Sequence, residues 1–517
     1  MKRRTFLRHT AHSLAIPSFL GALGNQSFGQ TLDTLLRLAE NTEKVLVLIY
    51  LEGGNDGLNT IIPMGSYGNL TKVRPHVILP ENKILLPNTG DFGFHPSLVG
   101  FQRLYNEGRL QIIHSAGYPN QHFSHFRSSD IWMSGSDADT LVPSGWTGRY
   151  LEAMHPQFPE DYPNATHTDP LALEIGHGSS LLFQGEKANF SMVINDANSF
   201  YKLLENTFDH TPDTPAGDKL RHIRLIARQS QKYGAVVKKA AENTKQQRPY
   251  PDKNRLARQL QIVSRLIAGG LKTPLYLVRI GGFDTHDNQV EGHDHTLGNH
   301  AKLLKEVNDA VMAFMADLEF QGTADRVLGM TFSEFGRRIV SNASMGTDHG
   351  SSAPLFIFGN QSYGGAQGSA PQIKGNEVYR DNLPFQHDFR HVYSSLLNQW
   401  LGSSEAATAA ATFGQSKYIP VVKGELITSI EQPRETAVKL FPNPVVKLAN
   451  LQLTVGSGKV KVDLYGSSGK HLAQVFEGLV KQNPFSIAID MERYPSGRYI
   501  LKVIDGNQVY TLHVLKI

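Results

Sequence analysis

The sequence contains no cysteine among its 517 residues. This absence excludes disulfide bonds, thiolate metal ligands and catalysis by a thiol. The formal net charge is only +4, and lysine and arginine form no long run, so the basic stripe that binds nucleic acid is missing. No apolar stretch is long enough to cross a membrane comfortably. We therefore predict a globular protein without a nucleic-acid partner or a transmembrane segment.

The first 30 residues are typical of an export signal and not of a folded domain. A basic start is followed by a modest apolar stretch of small residues at positions 11–23. Arg3-Arg4 and the Thr-Phe-Leu that follows resemble a twin-arginine signal. An ordinary secretory signal with two chance arginines is the alternative. We predict that residues 1–30 are a signal peptide and that the chain enters the periplasm.

Continuous apolar runs through the middle of the chain predict buried parallel strands. The runs lie at residues 45–51, 110–116, 171–175, 275–280, 327–332 and 354–358. Helical patterns separate them at residues 96–105, 216–241, 252–269 and 296–320. Alternating strands and helices predict a doubly wound α/β sheet with helices on both faces, in a domain spanning residues 43–420. In such sheets the ligand binds beyond the carboxyl ends of the strands.

The pattern changes after about residue 420. From Phe441 onward, short alternating strands are separated by turn signals such as Gly-Ser-Gly and Asp-Gly-Asn. We predict a small all-β sandwich at residues 440–517, joined to the first domain by a linker at residues 421–439.

Acidic residues and histidines gather near the ends of several predicted strands. They are Asp56, Asp284, His286, Glu334, Asp348 and His349. Polar residues at strand ends are often simply solvated. These six residues, however, come from four separate segments of the chain, and solvation explains four such segments at one edge less well. Carboxylate and imidazole together suit Zn²⁺, Mn²⁺ or similar ions. The sequence therefore predicts a metal site built from loops at one edge of the sheet.

Residues 281–300 hold four histidines and three aspartates, a density found almost nowhere else in the chain. Asp284 and His286 are the predicted site residues of this segment. His293, His295 and His300 lead into the next predicted helix. We expect these three to be solvated, with extra metal ligands as the alternative. Two further histidines, His95 and His177, are expected to be structural.

Ser124 stands at the start of a predicted helix, beyond the second strand, in the segment NQHFSHFRSSDIW. It is either an N-cap residue or a nucleophile, because a helix N-terminus also stabilises an anion. Arg127 is either a helix-surface arginine or a bidentate ligand for an oxyanion or sulfate group. His125 either faces the metals or the substrate, or it packs on the helix surface.

Five motifs, in this order, resemble the bacterial domain-of-unknown-function family 1501: GGNDGLNT, SHFRSSDIW, GGFDTHDNQ, SEFGRR and TDHGSSAPLFIFG. The resemblance covers roughly residues 43–402. That family belongs to the alkaline phosphatase-like superfamily, together with the sulfatases and the cofactor-independent phosphoglycerate mutases. The resemblance implies an alkaline phosphatase-like fold and one or two divalent metal ions.

The same resemblance implies roles for individual residues. Ser124 takes the place of the nucleophile, Glu334 is the strand-end carboxylate, and His349 is the last ligand. Asp56, Asp284 and His286 are the other implied ligands, and the role of Asp348 is left open. The superfamily usually has a histidine beside the strand-end carboxylate. This chain has Phe335 there, which puts a second metal ion in doubt.

The C-terminal segment resembles the sorting domain of the type IX secretion system. Pro-Asn-Pro within residues 440–445 opens it, and a last strand with a near-terminal lysine closes it. The resemblance implies that the type IX machinery is a partner and that the protein is released outside the cell or attached to its surface. An ordinary adhesive β-module is the alternative.

Taken together, these features predict a secreted metal-dependent hydrolase of phosphate or sulfate esters. The alternative is a non-catalytic surface protein that binds a glycan or cell-wall polymer on the same fold, because fold does not fix function. A third possibility is that the metals are structural and that the active face performs a different hydrolysis.

Overall fold

A computed structural model of the chain describes residues 44–176, 178–195, 232–415, 417–424 and 438–517, the last range with gaps at 442, 444, 454–457, 467–470, 481–484 and 506–507. The chain divides into two compact units after residue 427. The predicted export signal, His177, most of the predicted linker and the first part of the helix expected at 216–241 lie outside the described residues. Residues 232–243 are helical.

The first unit contains strands β1–β11 and helices α1–α9. The strands are β1 Val45–Glu52, β2 Ile61–Pro63, β3 Phe92–Phe94, β4 Leu110–Gly117, β5 Ala172–Ile175, β6 Ser191–Ile194, β7 Leu275–Gly281, β8 Val327–Phe332, β9 Ala353–Phe358, β10 Gly365–Gln367 and β11 His387–Asp388. The helices are α1 Gly57–Thr60, α2 Tyr67–Val73, α3 Val99–Asn106, α4 His125–Ser134, α5 Trp146–Met154, α6 Arg255–Ala268, α7 Asn299–Phe320, α8 Phe389–Ser395 and α9 Glu405–Thr412. A π-helical turn, Leu396–Trp400, continues α8. In the part of the chain that is described, none of the helices combines the length and apolar character needed to span a membrane.

One mixed sheet organises the first unit, with strand order β10-β4-β9-β8-β1-β7-β5-β6 and β11 beside β4. Strand β1 is parallel to both β7 and β8. Strand β9, in contrast, is antiparallel to β4 and β8, so the parallel direction expected from its apolar run is wrong. No helix separates β8 from β9, and a parallel return would need a long crossover connection, usually a helix. The reversal brings the start of β9 to the edge where β1, β7 and β8 end.

Both faces of the sheet are buried. Along β1, Val45, Val47 and Ile49 belong to one apolar core, and Leu46, Leu48 and Tyr50 belong to the other. Helices α3, α6 and α7 cover the first face, and helices α4, α5 and α8 cover the second. A strand buried on both faces needs apolar residues at consecutive positions, which explains the continuous runs. The predicted α/β class with helices on both faces is confirmed.

The second unit contains two antiparallel sheets. Its strands are β12 Val438–Phe441, β13 Leu448–Leu453, β14 Gly458–Gly466, β15 His471–Val480, β16 Phe485–Asp490, β17 Gly497–Asp505 and β18 Gln508–Lys516. The sheet orders are β12-β13-β16 and β15-β14-β17-β18. Residues from both sheets, including Leu451, Val462 and Leu501, share one apolar core, as predicted for an all-β unit. Strand β15, which the sequence did not predict, is an edge strand in which Val480 is the one buried residue of ten, so its apolar alternation is weak.

Several histidines of the first unit are buried in the neutral form. Burial lowers the pKa of His114, on β4, to about 4 and the pKa of His95 to about 3. The His114 ring meets the ring of Phe92 edge-on, with centroids 5.2 Å apart. His114 therefore packs as a neutral ring, and His95 also accepts a hydrogen bond from the backbone N–H of Ser97 at 3.0 Å, so the structure gives His95 the structural role expected for it.

We expect the free energy of unfolding to fall as the pH drops below about 6.5. Below that pH a histidine binds a proton in the unfolded chain, whereas the buried histidines stay neutral in the folded chain because their pKa values are lower. The loss continues until the pH reaches the folded pKa values near 4 and 3. At pH 5.5 it amounts to about 1.4 kcal/mol for each such histidine. Urea unfolding at pH 7.5 and 5.5 measures it, and His114→Gln should show a smaller difference than the wild type. An identical midpoint at both pH values would contradict the prediction.

Candidate metal centre

The candidate centre lies where β1, β7 and β8 end, and the turn after β1 shapes it. Gly53 and Gly54 have φ values of +119° and +83°, as the paired glycines suggested. A Cβ atom on Gly53 would lie 2.3 Å from the backbone nitrogen of Asp284, and one on Gly54 would lie 2.3 Å from the Phe335 ring. The glycines therefore allow the loops after β1 and β7 to touch, which brings Asp284 to the sheet edge.

Asp284, His286 and His349 converge on one point. Oδ1 of Asp284 lies 3.1 Å from Nε2 of His349 and 3.2 Å from Nε2 of His286. The two Nε2 atoms are 2.8 Å apart. Nδ1–H of His349 donates to the carbonyl of Phe123 at 2.7 Å, and Nδ1 of His286 lies 2.8 Å from Oδ1 of Asp348. Asp348 is thus placed behind His286.

These contacts assign the tautomers of both imidazoles. A carbonyl and a carboxylate accept hydrogen bonds, so each ring carries its proton on Nδ1 and, when neutral, a lone pair on Nε2. Two lone pairs and a carboxylate oxygen at such short distances repel one another unless a cation or an extra proton lies between them. Metal-binding histidines characteristically have their second nitrogen held in this way. The donor set fits Zn²⁺ or a similar divalent ion.

His125 faces the same point, which settles the direction that its sequence position left open. Its Nε2 lies 3.4 Å from Oδ2 of Asp284, and donor atoms of His125, Asp284 and His349 all lie within 4.8 Å of one another. Its Nδ1 lies 2.9 Å from Oε1 of Glu334, and this hydrogen bond raises the pKa of His125. The buried Glu334 also accepts from the backbone N–H of Gly53 at 2.8 Å. Glu334 therefore positions His125 from behind.

Arg337 fixes the carboxylate of Asp284. Its buried guanidinium donates to Oδ1 of Asp284 at 2.8 Å and to the carbonyls of Gly53, Gly54, Phe283 and Thr347. Although burial raises the pKa of Asp284, the hydrogen bond from Arg337 and the positive charge of its guanidinium lower it to about 2. Asp284 is therefore anionic at neutral pH and is held in place by the loops that Arg337 ties together.

Asp56 has a different environment from the converging imidazoles. Its Oδ2 accepts from Nη2 of Arg74 at 2.7 Å and from Nε2 of Gln289 at 2.6 Å. Both members of the Asp56–Arg74 ion pair are buried. Burial raises the pKa of Asp56, but the nearby positive charge of Arg74 and the hydrogen bonds outweigh it and lower the pKa. The structure thus gives Asp56 a guanidinium as its cation.

Two of the three remaining histidines of the 281–300 segment differ from the solvated expectation. His300 is buried, its Nε2 lies 2.9 Å from Oδ1 of Asn55, and burial lowers its pKa to about 4. The solvated prediction for His300 is wrong, because the first turn of α7 packs against the loop after β1. His295 is half-buried and contacts the carbonyl of Ile78. His293 is exposed, as predicted.

Ser124 is the N-cap residue of α4, but its side chain makes no capping hydrogen bond. It stands between Phe123, whose carbonyl holds His349, and His125, which faces Asp284. Ser124 is therefore next to the centre in the chain. Arg127 is not brought to the centre, since its guanidinium donates to the carbonyls of residues 137, 138 and 140.

Phe335 occupies the position where the superfamily usually has a second histidine. Its buried ring packs against His125 and His349, with centroid distances of 5.0 Å and 4.5 Å. A phenyl ring offers no ligand atom, so Phe335 packs against the imidazoles and cannot coordinate a metal ion.

An open cleft of about 610 Å³ borders the centre. Its lining includes the carboxylates of Glu52, Asp130, Asp284 and Glu334. The cation in the lining, Arg279, forms ion pairs with Glu174 at 2.8 Å and with Glu52 at 3.7 Å. The cleft is therefore acidic. The sequence did not predict this acidic cleft, because the residues that line it come from strands and helices that meet only in the folded chain.

Comparisons with known proteins agree with the division into two units. Residues 439–516 match the model of the secretion system C-terminal sorting domain, which indicates export and secretion or attachment to the cell surface. No curated protein matches the chain significantly.

Solved structures that resemble the chain include a sulfatase from Pseudoalteromonas sp., at 10% identity and a TM-score of 0.31, with 90% of this chain and 88% of that chain covered. An alkaline phosphatase superfamily protein from Vibrio parahaemolyticus gives 11% identity and a TM-score of 0.34, with 91% and 79% covered. At TM-scores below 0.5 these likenesses carry no information on activity.

The family comparison covers the converging side chains of the centre but not the turn after β1. Residues 89–389 match the model described as protein of unknown function, DUF1501. This range is more than half of the 517 residues and includes Asp284, His286 and His349. The chain belongs to the DUF1501 family.

Proposed function

We propose that the chain is a secreted metal-dependent hydrolase of phosphate or sulfate esters. The observation that supports it most is that donor atoms of His125, Asp284 and His349 lie within 4.8 Å of one another beside an open cleft, with Nε2 of His286 2.8 Å from that of His349. The far nitrogens of the three rings are all held, by Glu334, Asp348 and the carbonyl of Phe123. Rings oriented in this way present ligand atoms at little further cost in conformational freedom.

These four side chains would hold one divalent ion, with Zn²⁺ or Mn²⁺ the best match to imidazole and carboxylate ligands. A bound ion would polarise the ester oxygen and neutralise charge on the transferred group. The phenyl ring of Phe335 favours one ion over two. Ser124, whose hydroxyl makes no capping bond, is the candidate nucleophile, and a water molecule is the alternative.

The charge of the cleft gives the ion a second role. Glu52, Asp130, Asp284 and Glu334 face a single arginine that is already paired. An anionic ester is repelled by such a wall unless positive charge is added close to it. Substrate binding should therefore depend on the ion as strongly as turnover does. The sorting domain supports export through the periplasm and the type IX machinery to the cell exterior.

Turnover of aryl esters tests this proposal. We expect the full chain, stripped of metal and reloaded with Zn²⁺ or Mn²⁺, to release p-nitrophenol from its phosphate or its sulfate ester. His349→Ala should lower the rate by more than about 100-fold, because it removes a ligand atom. The matched control is His293→Ala in the histidine-rich segment 281–300, where the ring is 77% exposed, and it should keep the wild-type rate. A metal-loaded wild type that hydrolyses neither ester would contradict the proposal.

One observation favours the alternative, a non-catalytic glycan-binding protein. Phe126 lines the cleft beside Glu52 and Asp130, and its side chain is 89% exposed. An exposed aromatic ring next to carboxylates suits the apolar face and the hydroxyl groups of a sugar. Glycan binding that Phe126→Ala abolishes, in a metal-loaded chain without esterase activity, would support this alternative over the hydrolase.

A further inference from the structure

Arg338 carries a positive charge that no acidic residue neutralises within the described part of the chain. Its Nη1 donates to the carbonyl of Tyr379 at 2.9 Å. Its guanidinium lies over two aromatic rings, 5.1 Å from the centroid of Tyr379 and 5.9 Å from the centroid of Phe123. Its Nε is buried without a hydrogen-bond partner. Among the residues that the structure describes, no carboxylate forms an ion pair with this guanidinium.

The two aromatic residues that contact Arg338 also contact residues of the metal centre. The carbonyl of Phe123 accepts from Nδ1 of His349, and the Tyr379 hydroxyl interacts with the carboxylate of Asp348. The backbone N–H of Arg338 donates to the carbonyl of Asp348 at 3.0 Å. The charge of Arg338 is therefore fixed to the rim of the centre by its backbone and by its aromatic neighbours.

Other arginines near this edge of the sheet are already engaged. Arg74 pairs with Asp56, Arg279 pairs with Glu174, and Arg337 binds Asp284 and four carbonyls. A planar guanidinium offers five N–H donors in a fork that matches two oxygens of an oxyanion. Arg338 uses one of its nitrogens within the described part of the chain, so it keeps both charge and donors for a ligand.

We infer that Arg338 binds the anionic group of the substrate, the sulfate or phosphate of an ester, at the rim of the metal centre. The inference rests on the proposed function, because it places the same substrate beside the same centre. Arg338 adds a permanent positive charge at this rim, whereas Arg279, in the neighbouring acidic cleft, is paired with Glu174 and Glu52. Aromatic stacking keeps the guanidinium in place without neutralising it, which a carboxylate partner would do.

Binding of inorganic phosphate and sulfate tests the inference directly. Calorimetric titrations use the full chain, metal-loaded and metal-free, with the metal content of each sample measured. We expect the metal-loaded wild type to bind one of the two anions, and Arg338→Met to weaken that affinity at least tenfold without loss of metal. Arg338→Lys should recover part of the affinity, because lysine keeps the charge but not the fork. Arg103→Met, a change to a helix-surface arginine that pairs only weakly with Glu107, is the matched control and should leave the affinity unchanged.

Equal anion affinity in the wild type and in either Arg338 variant would overturn the inference, as would a metal-loaded wild type that binds neither anion. If the metal-free and metal-loaded wild types bind the anion equally well, and Arg338→Met weakens the affinity of both, the result would support the role of Arg338 but contradict the dependence of substrate binding on the ion. The two proposals therefore fail separately. If Arg338→Met does not fold, the comparison of wild type with Arg338→Lys still decides the question.

Discussion

Asp284→Asn is expected to empty the metal centre. The metal content should fall from about one ion per chain to near zero, and ester hydrolysis should fall by more than about 100-fold. Asp284 is the only anionic member of the four converging side chains, and its Oδ1 lies within 3.2 Å of two imidazole nitrogens. Asparagine keeps the shape but removes the charge that attracts the ion. It also leaves the buried guanidinium of Arg337 without its acidic partner.

Asp287→Asn is the matched control for this prediction. Asp287 lies three residues further along the same loop and is exposed. Its variant should keep both metal and activity. Elemental analysis of the two purified variants gives the result, and near-ultraviolet circular dichroism checks that both are folded. Full metal content in a folded Asp284→Asn chain would rule out Asp284 as a ligand.

Arg74→Met is expected to lower the free energy of unfolding by about 3–5 kcal/mol. The side chains of Arg74 and Asp56 are 0% and 1% exposed, so the change leaves a carboxylate buried without its cation. Gln289 still donates to Oδ2 of Asp56, but a neutral amide does not balance the charge. Denaturation of the full chain in urea, followed by near-ultraviolet circular dichroism, measures the loss.

The double variant Arg74→Met with Asp56→Asn should recover much of the lost stability, because it removes the unpaired charge. Asp56→Asn alone should keep its bound metal, since Asp56 has a guanidinium partner. A loss of metal in Asp56→Asn would instead make Asp56 a ligand. A cost below about 1 kcal/mol for Arg74→Met would contradict the importance of the buried pair.

The six apolar strands of the first unit, and the residues near their ends, were predictable from the sequence, whereas strands β2, β3, β6, β10 and β11 were not. Burial of both faces forces consecutive apolar residues along β1, and a sharp change to polar residues marks its end. Asp284, His286 and His349 stand at such ends, so local patterns were enough to find them. The direction of β9 was not predictable from its own composition. It depends on the connection after β8, which lacks a helix.

Contacts between residues far apart in the chain could not be predicted from the sequence. Glu334 and His125 are 209 positions apart, and their hydrogen bond decides that the His125 ring faces Asp284. The sequence equally contains no sign that Arg74 neutralises Asp56, because these two residues, 18 positions apart, meet only in the folded chain. Arg338 shows the same limit, since the role proposed for it depends on its having no acidic partner among the residues that the structure describes.

The most direct test of the metal centre is elemental analysis of the purified full chain, before and after chelation and after dialysis against Zn²⁺ and Mn²⁺. We predict about one divalent ion per chain, removed by the chelator and regained on dialysis. A folded chain that contains no such ion, and that takes up neither metal on dialysis, would contradict the account.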